Sequence, residues 1–176
     1  MKNEFLTGKK ANLRSLEETD LENIFNWLSD PDVTELLFYG YYPPNLQKLK
    51  EVYRKTIDAK HDLEFAVIDK ETDSHVGWAG IYEIDWISKN AEFRIFIGDK
   101  KSWGKGISTE SGKMLVDYAF KVLNLHRLHL GVNIENKASL KMVKNIGFQE
   151  EGVSKEGFWR DGKYYDLVKF GLINKA

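Results

Sequence analysis

A mixed α/β fold is predicted by three features of the sequence. Three extended runs rich in β-branched and aromatic residues follow one another across short polar turns. At Ile107 the apolar spacing changes from alternation to a helical period. Beyond that helix a strand, a helix and two further strands complete the chain. This order predicts an antiparallel first part and a strand, helix, strand unit at the centre.

The elements follow in turn. A first strand is expected near Asn12 to Leu16. In "TDLENIFNWLSDPD", Thr19 and Glu22 stand at capping-box spacing, and Ile24, Phe25 and Leu28 share one helical face. Pro31 helps to end that helix, because the residue before a proline, here Asp30, is biased out of the α region. A second helical pattern covers Leu46 to Ala59. The runs "LEFAVID" and "HVGWAGIYEID", separated by "KETDS", and "AEFRIFI" after "SKN" read as a three-stranded meander. From Ile107, Leu115, Tyr118, Ala119 and Val122 recur at helical spacing. "RLHLGV" reads as a strand and "NKASLKMVKNI" as a helix ended by Gly147. Final strands are expected near Phe148 to Glu156 and Tyr164 to Leu172.

With no repeat, low-complexity tract or linker, residues 1–176 are expected to form one domain. A composition of 42% hydrophobic and 30% charged residues indicates a soluble globular chain, and a net charge of -1 gives no global attraction to nucleic acid. The absence of cysteine removes disulfides, thiolate metal sites and a cysteine nucleophile. "MKNEFLTGKKANL" contains no run resembling a signal peptide, and no segment approaches the ~20 apolar residues that span a bilayer, so no membrane contact and a cytoplasmic location are expected. His126 and His129 flank Leu128 without a carboxylate or cysteine pattern and read as structural, so no metal is expected. Trp27 and Trp78 are expected in the core.

The chemistry concentrates in "KKSWGKGISTE", Lys100 to Glu110. Gly104 and Gly106 permit torsions that L-residues avoid and let a ligand approach the chain. Successive N–H groups, added to the unsatisfied donors and positive end of the following helix, suit an anion, most simply a phosphate group. Lys100, Lys101 and Lys105 reinforce the sign. A Walker loop does not fit, because Gly106 stands where a magnesium-binding hydroxyl is needed. A dinucleotide fingerprint does not fit either, because it needs a third glycine at Thr109. Taken alone, the loop is equally compatible with a tight connection that holds nothing.

"KSWGKG" resembles the pyrophosphate loop Gln/Arg-x-x-Gly-x-Gly/Ala of the GNAT acetyltransferase superfamily, with Lys101 replacing the usual Gln or Arg. The run Glu92 to Gly152 follows that family's strand, loop, helix, strand, helix order. "LNLHRLHL", "NKAS", "NIGFQEEG" and "FWRDGKYYDLVKFGLI" resemble most the branch of ribosomal-protein N-terminal and spermidine acetyltransferases. The resemblance implies a mostly antiparallel central sheet, flanked by helices, in which the fourth and fifth strands, "AEFRIFI" and "RLHLGV", run parallel and splay apart around acetyl-CoA. Backbone groups of Ile95, Phe96 and Ile97 would bind the pantetheine amides like an added strand. Amides of Trp103, Gly104, Lys105, Gly106, Ile107 and Ser108 would hold the pyrophosphate. Asn136 would lie by the pantetheine arm, a position that equally suits a helix N-cap. Relatives are often dimers, so a homodimer is possible.

Attack of an amine on a thioester creates an oxyanion, which needs a donor beside the carbonyl, and no metal. An alkyl amine with a pKa near ~10 must first lose a proton to a base. Without cysteine an acetyl-cysteine intermediate is impossible, which favours direct transfer in a ternary complex. The resemblance suggests Glu92 as base; the other reading is a solvated glutamate or a partner of Arg94. The tyrosine many relatives use as acid is replaced by Val143, and Ser139, three residues after Asn136, is the substitute the branch implies, unless it is an ordinary helix serine. Tyr164 and Tyr165 are further candidates to face the cleft.

The acceptor side is expected from "DPDVTELLFYGYYPPN" and "EGFWRDGKYY", whose aromatics either stack on a substrate or pack locally. Glu17, Glu18, Asp20, Asp32 and Glu35 either attract a cation or form a solvated surface. The sequence thus points to transfer of acetyl to a primary amine of a small molecule or peptide. The branch ranks a protein N-terminus first, followed by a polyamine, an amino sugar or an amine-bearing antibiotic. The alternative is a non-catalytic CoA-binding module, favoured by the replacement at Val143.

Overall fold

The computed structural model describes residues 4–38, 41–57 and 61–175. Among these, eight strands form one sheet in the order β1-β2-β3-β4-β5-β6-β8-β7. They are β1 (Glu4–Thr7), β2 (Ala11–Ser15), β3 (Leu63–Asp69), β4 (Ser74–Asp85), β5 (Asn90–Ile97), β6 (Arg127–Asn133), β7 (Gln149–Arg160) and β8 (Lys163–Ile173). Every pairing is antiparallel except β5 with β6. The mixed, mostly antiparallel sheet expected from the sequence is therefore present, with one strand more at its start. β1 is a short edge strand, mostly exposed, whose charge and brevity hide it from a periodicity reading. "AEFRIFI" and "RLHLGV" are consequently β5 and β6 rather than the fourth and fifth strands.

Helices cover both faces. α4 (Ile107–Lys121) and α5 (Lys137–Ile146) enclose the larger core with Leu13, Phe93, Leu115 and Phe170. Gly112 lets α4 sit close, since a Cβ there would stand 2.4 Å from Ile146 Cδ1. On the other face α1 (Leu21–Leu28) and α3 (Leu46–Ile57) pack with the short α2 (Pro31–Thr34) over Trp78 and Phe96. The last two residues of the predicted second helix, 58 and 59, lie outside the described residues. Trp78 is buried as expected, whereas Trp27 is half-buried and covers the bare backbone of Gly98.

Two sequence signals act one step away from where they were read. The cap at the start of α1 is not Thr19 with Glu22; a 3₁₀ turn, Glu18–Asp20, precedes the helix, and Asp20 accepts from the Glu17 amide at 2.8 Å. Asp20 also takes a bidentate pair from Arg14, at 2.7 and 2.8 Å, which ties β2 to the helix start. Pro31 does follow the end of α1, and it also opens α2 at its first position, where no amide is missed and Asp30 caps the Asp32 amide at 3.0 Å.

The sheet is divided at its parallel pair. β5 and β6 pair only at Asn90 with Arg127, Ala91 with Leu128 and Glu92 with His129. β5 stays paired to β4 as far as Ile97 with Gly77, and β6 to β8 as far as Asn133 with Leu167. Each strand keeps its outer partner while the inner ladder stops, which leaves inward-facing backbone groups without a strand to bond.

Candidate active site

A cleft of about 380 Å³ opens where the strands part. One wall is the stretch Glu92 to Phe96, the other Leu130 to Asn133, and Asn136, Ser139 and Val143 of the α5 region close it. Ile95 is half-buried at the wall, and Phe96 packs its ring 4.2 Å from that of Trp78. The stretch expected to bind pantetheine thus lines the cleft at Ile95 and Phe96, with Phe96 itself buried. Ile97 differs: its carbonyl accepts from the indole Nε1 of Trp103 at 2.8 Å and is already used.

The loop after β5 is a 3₁₀ turn, Lys100–Ser102, organised by Asp99, which accepts from the Lys101 amide at 3.1 Å and from the Ser102 hydroxyl at 2.8 Å. The Trp103 amide bonds the Lys100 carbonyl at 3.3 Å, so Trp103 is not a donor to an anion in this arrangement. Gly104 and Gly106 then take φ of +75° and +83°, the left-handed region that glycine enters without strain. Among the described residues no oxygen accepts from the amides of Gly104, Lys105, Gly106, Ile107 or Ser108. Nothing lies within 4 Å of a Cβ placed on Gly104, so the loop is open at that point. The Ile107 side chain is buried in the core, so only its amide is available to a ligand at the loop.

The lysines are placed differently from the sequence reading. Lys100 forms ion pairs with Asp30 and Asp32, at 2.7 and 3.0 Å, and ties the loop to α2. Lys105 Nζ lies 3.7 Å from the buried Asp69. Lys10, which no motif marked, reaches from the β1–β2 turn to donate to the Lys105 carbonyl at 2.8 Å.

Asn136 caps α5, its side-chain oxygen accepting from the Ser139 amide at 3.0 Å, and the residue also lines the cleft. Ser139 is half-buried at the cleft. Val143 is buried, leaving the position of the usual acid apolar. Neither Tyr164 nor Tyr165 reaches the cleft; Tyr164 packs 4.6 Å from Trp159 and Tyr165 6.0 Å from Phe158, on the β7–β8 hairpin. Asn133 was missed: it is buried at the end of β6, its oxygen accepts from Glu135 at 3.0 Å, and its amide nitrogen has no partner.

Glu92, at the cleft floor, is ion-paired with Arg94, whose guanidinium also lies 3.8 Å from Glu83 and 4.5 Å from the Tyr82 ring centre. On the same face Glu64 is held above the usual carboxylate range by burial, partly offset by the Tyr82 hydroxyl. The acidic residues suggested as cation attractors are largely engaged within the chain. Asp20 pairs with Arg14, Glu18 with Lys50 and Arg54, and Asp32 with Lys100. The two aromatic acceptor-side segments meet each other: Phe38 packs 5.0 Å from Phe158, and the Tyr41 hydroxyl donates to the Trp159 carbonyl at 2.8 Å. "EGFWRDGKYY" extends the two last strands beyond the ends expected at Glu156 and Tyr164 into a hairpin that turns at Asp161 and Gly162. Residues 39 and 40 lie outside the described residues. Also among the described residues, no group of three His, Asp or Glu could hold a metal, and no helix is long and apolar enough to cross a membrane.

The family model described as the acetyltransferase (GNAT) domain matches residues 10–149, which include the divided strands, the loop and α5. The chain belongs to the GNAT acetyltransferase family. As a GNAT protein it is an N-acetyltransferase that moves acetyl from acetyl-CoA to an amine. It is 32% identical to the spermidine N(1)-acetyltransferase of Vibrio cholerae over 166 residues, 94% of each chain. An N-acetyltransferase of Bacillus licheniformis, p20, is 31% identical over 98% of this chain and 97% of its own. A crystal structure of the Vibrio cholerae spermidine enzyme with CoA and spermine superposes with a TM-score of 0.86 at 30% identity, covering 94% of this chain and 96% of that one. The same Vibrio protein has also been solved as a dodecamer, with a TM-score of 0.79.

Proposed function

We propose that this enzyme acetylates a primary aliphatic amine, with a polyamine as the leading acceptor, by direct transfer between two substrates held in the β5–β6 cleft. The observation that carries the reading is the short parallel ladder: three residue pairs and then a parting that leaves strand edges bare between an amide-lined loop and an acidic floor. Bound acetyl-CoA supplies the activated acyl thioester. The amides of Gly104 to Ser108 bind its diphosphate, and the cleft-lining edge at Ile95 and Phe96 aligns the pantetheine arm.

Glu92 takes the proton from the incoming ammonium, directly or through a water, before attack. Its pair with Arg94 fixes the carboxylate at the floor, and Glu83 on the far side of Arg94 adds negative charge for a second ammonium. Ser139, positioned by the Asn136 cap, returns a proton to the departing thiolate. A polyamine is preferred to a protein N-terminus because two relatives at about a third identity over nearly the whole chain are spermidine acetyltransferases. The relative named a putative ribosomal N-acetyltransferase is 27% identical.

The test is a panel of polyamines, amino sugars and peptide N-termini with acetyl-CoA, followed by mass detection of the product. Spermidine or spermine should give the highest kcat/KM. Turnover confined to peptides or sugars would reject the acceptor, and CoA binding without thiol release for any amine would reject the catalytic reading.

A further inference from the structure

The first hairpin is clamped to the helix that follows the cofactor loop. Glu110, in the first turn of α4, accepts from the amides of Lys9, Lys10 and Ala11 at 3.1, 2.6 and 2.9 Å. Burial pushes this carboxyl up, and the three amides together with the charge of Lys10 outweigh it, leaving it below the usual range. The clamp needs a residue without a side chain beside it: a Cβ on Gly8 would stand 2.6 Å from Glu110 Oε2. A carboxylate at the positive end of a helix would otherwise oppose an anion bound there. Here its oxygens are occupied by the β1–β2 turn, which in return delivers a cation. Lys10 Nζ donates to the Lys105 carbonyl at 2.8 Å and stands 3.2 Å from a Cβ placed on Gly106. An ammonium has three donors, so two remain for a ligand.

A groove of about 560 Å³ opens at this turn, lined by Lys9, Lys10, Lys70 and Lys105 against Asp69 and Glu71. The carboxylates leave the groove cationic by four to two. Lys105 is balanced by Asp69 at 3.7 Å and Lys70 is tied to the Gly8 carbonyl at 2.9 Å, which makes Lys10 the cation aimed at the loop.

We propose that the β1–β2 turn is part of the cofactor site: Lys10 binds a phosphoryl group of CoA, and Glu110 is the positioning residue that holds Lys10 over the loop. The inference rests on the placement of the CoA diphosphate at the loop amides argued above.

Calorimetric binding of CoA, 3′-dephospho-CoA and pantetheine to the wild type, Lys10→Met, Lys10→Arg, Glu110→Gln and the Lys10→Met/Glu110→Gln double variant tests it. Lys10→Met should weaken CoA about tenfold, the size of one lost charge-assisted hydrogen bond, and leave pantetheine unchanged. Lys10→Arg should retain most of the affinity. An equal loss for dephospho-CoA places the contact at the diphosphate, and a loss confined to CoA places it at the 3′-phosphate; either supports the proposal. Glu110→Gln should show the same phosphate-selective loss, with the double variant no weaker than either single one. Lys10 is on the surface, so its variant decides even if Glu110→Gln fails to fold. Unchanged CoA affinity in Lys10→Met, or equal weakening of CoA and pantetheine, overturns the inference while wild-type CoA binding leaves the loop reading intact; a wild type that binds no CoA sinks both.

Discussion

The hydroxyl of Tyr82 donates to Glu64 Oε1 at 2.8 Å, and the Tyr82 ring that carries it lies 4.5 Å from the Arg94 guanidinium. Gly80 makes this possible, since a Cβ there would stand 2.5 Å from the Tyr82 ring. Three strands thus share one polar network, with Glu64 on β3, Tyr82 on β4 and the Arg94–Glu92 pair on β5. The network continues the floor of the cleft behind the proposed base.

Glu64 yields a pH prediction. Burial, partly offset by Tyr82, raises its folded pKa above the ordinary carboxylate value. Its contribution to stability is therefore complete below that ordinary value and is lost as pH rises through the raised one. Glutamine stays neutral and still accepts from Tyr82. Glu64→Gln should gain stability relative to the wild type as pH rises from 4 to 7, read as the difference between urea midpoints. A difference that is flat or shrinks with pH rejects the assignment.

The Arg14–Asp20 pair and His75 predict the opposite trend in acid. Burial raises the Asp20 carboxyl, but the Arg14 fork, the Glu17 amide and His75 outweigh it and hold its pKa low. Burial lowers the pKa of His75, more than Asp20 and the Gly77 carbonyl restore. Both depressed groups contribute stability that is present above their unfolded values and lost as pH falls through the folded ones: first His75, below about 6.5, then Asp20 in the carboxylate range. Asp20→Ala should cost ~2 kcal/mol at pH 7, because it strands a partly buried guanidinium, and should flatten the acid limb of the stability curve. Denaturant titrations between pH 3 and 8 measure both effects.

Most of the sheet was legible because its strands alternate or run apolar between polar turns, and the loop was legible because two glycines and a helix start are local signals. What stayed hidden is non-local. The edge strand β1 has too little apolar pattern to announce itself. Lys10 joins the loop through a contact between residues 95 positions apart. The pairing of Lys100 with Asp30 and Asp32 likewise depends on where α2 docks. Asp161 and Gly162 lie between the strand ends expected at Glu156 and Tyr164, where an Asp-Gly pair is a local hairpin signal that carries both strands further. The departure at Val143 was legible, but its consequence is spatial: a buried apolar wall beside Ser139 and Asn136.

Gly104→Ala separates the loop's two duties. At φ +75° an L-residue costs roughly 1–2 kcal/mol, and the added methyl projects into open space beside the amides proposed to bind the diphosphate. CoA affinity should fall at least about tenfold, from the methyl and from distortion of the adjacent amides. Thermal stability should fall by only the strain. Equilibrium binding and melting curves on the same samples distinguish them; a melting shift with unaltered CoA affinity would remove Gly104 from the cofactor site.

Arg94→Met tests how charge at the floor is divided between catalysis and acceptor binding. The guanidinium pairs with Glu92 and lies 3.8 Å from Glu83. Removing it leaves two carboxylates facing an incoming polycation with less opposing charge, so KM for spermidine should fall several-fold, and more at low ionic strength than at high. The same change releases Glu92 from its fixed position, so kcat should drop about 10²-fold, the usual worth of a positioned general base. Glu92→Gln should lower kcat by a similar factor without the gain in KM, and alkaline pH should restore part of its rate by deprotonating the amine in solution. Steady-state kinetics from pH 6.5 to 9.5 read all three quantities. If Arg94→Met raises KM, the guanidinium contacts the acceptor itself, and the substrate carries a negative or hydrogen-bond-accepting group rather than a second ammonium.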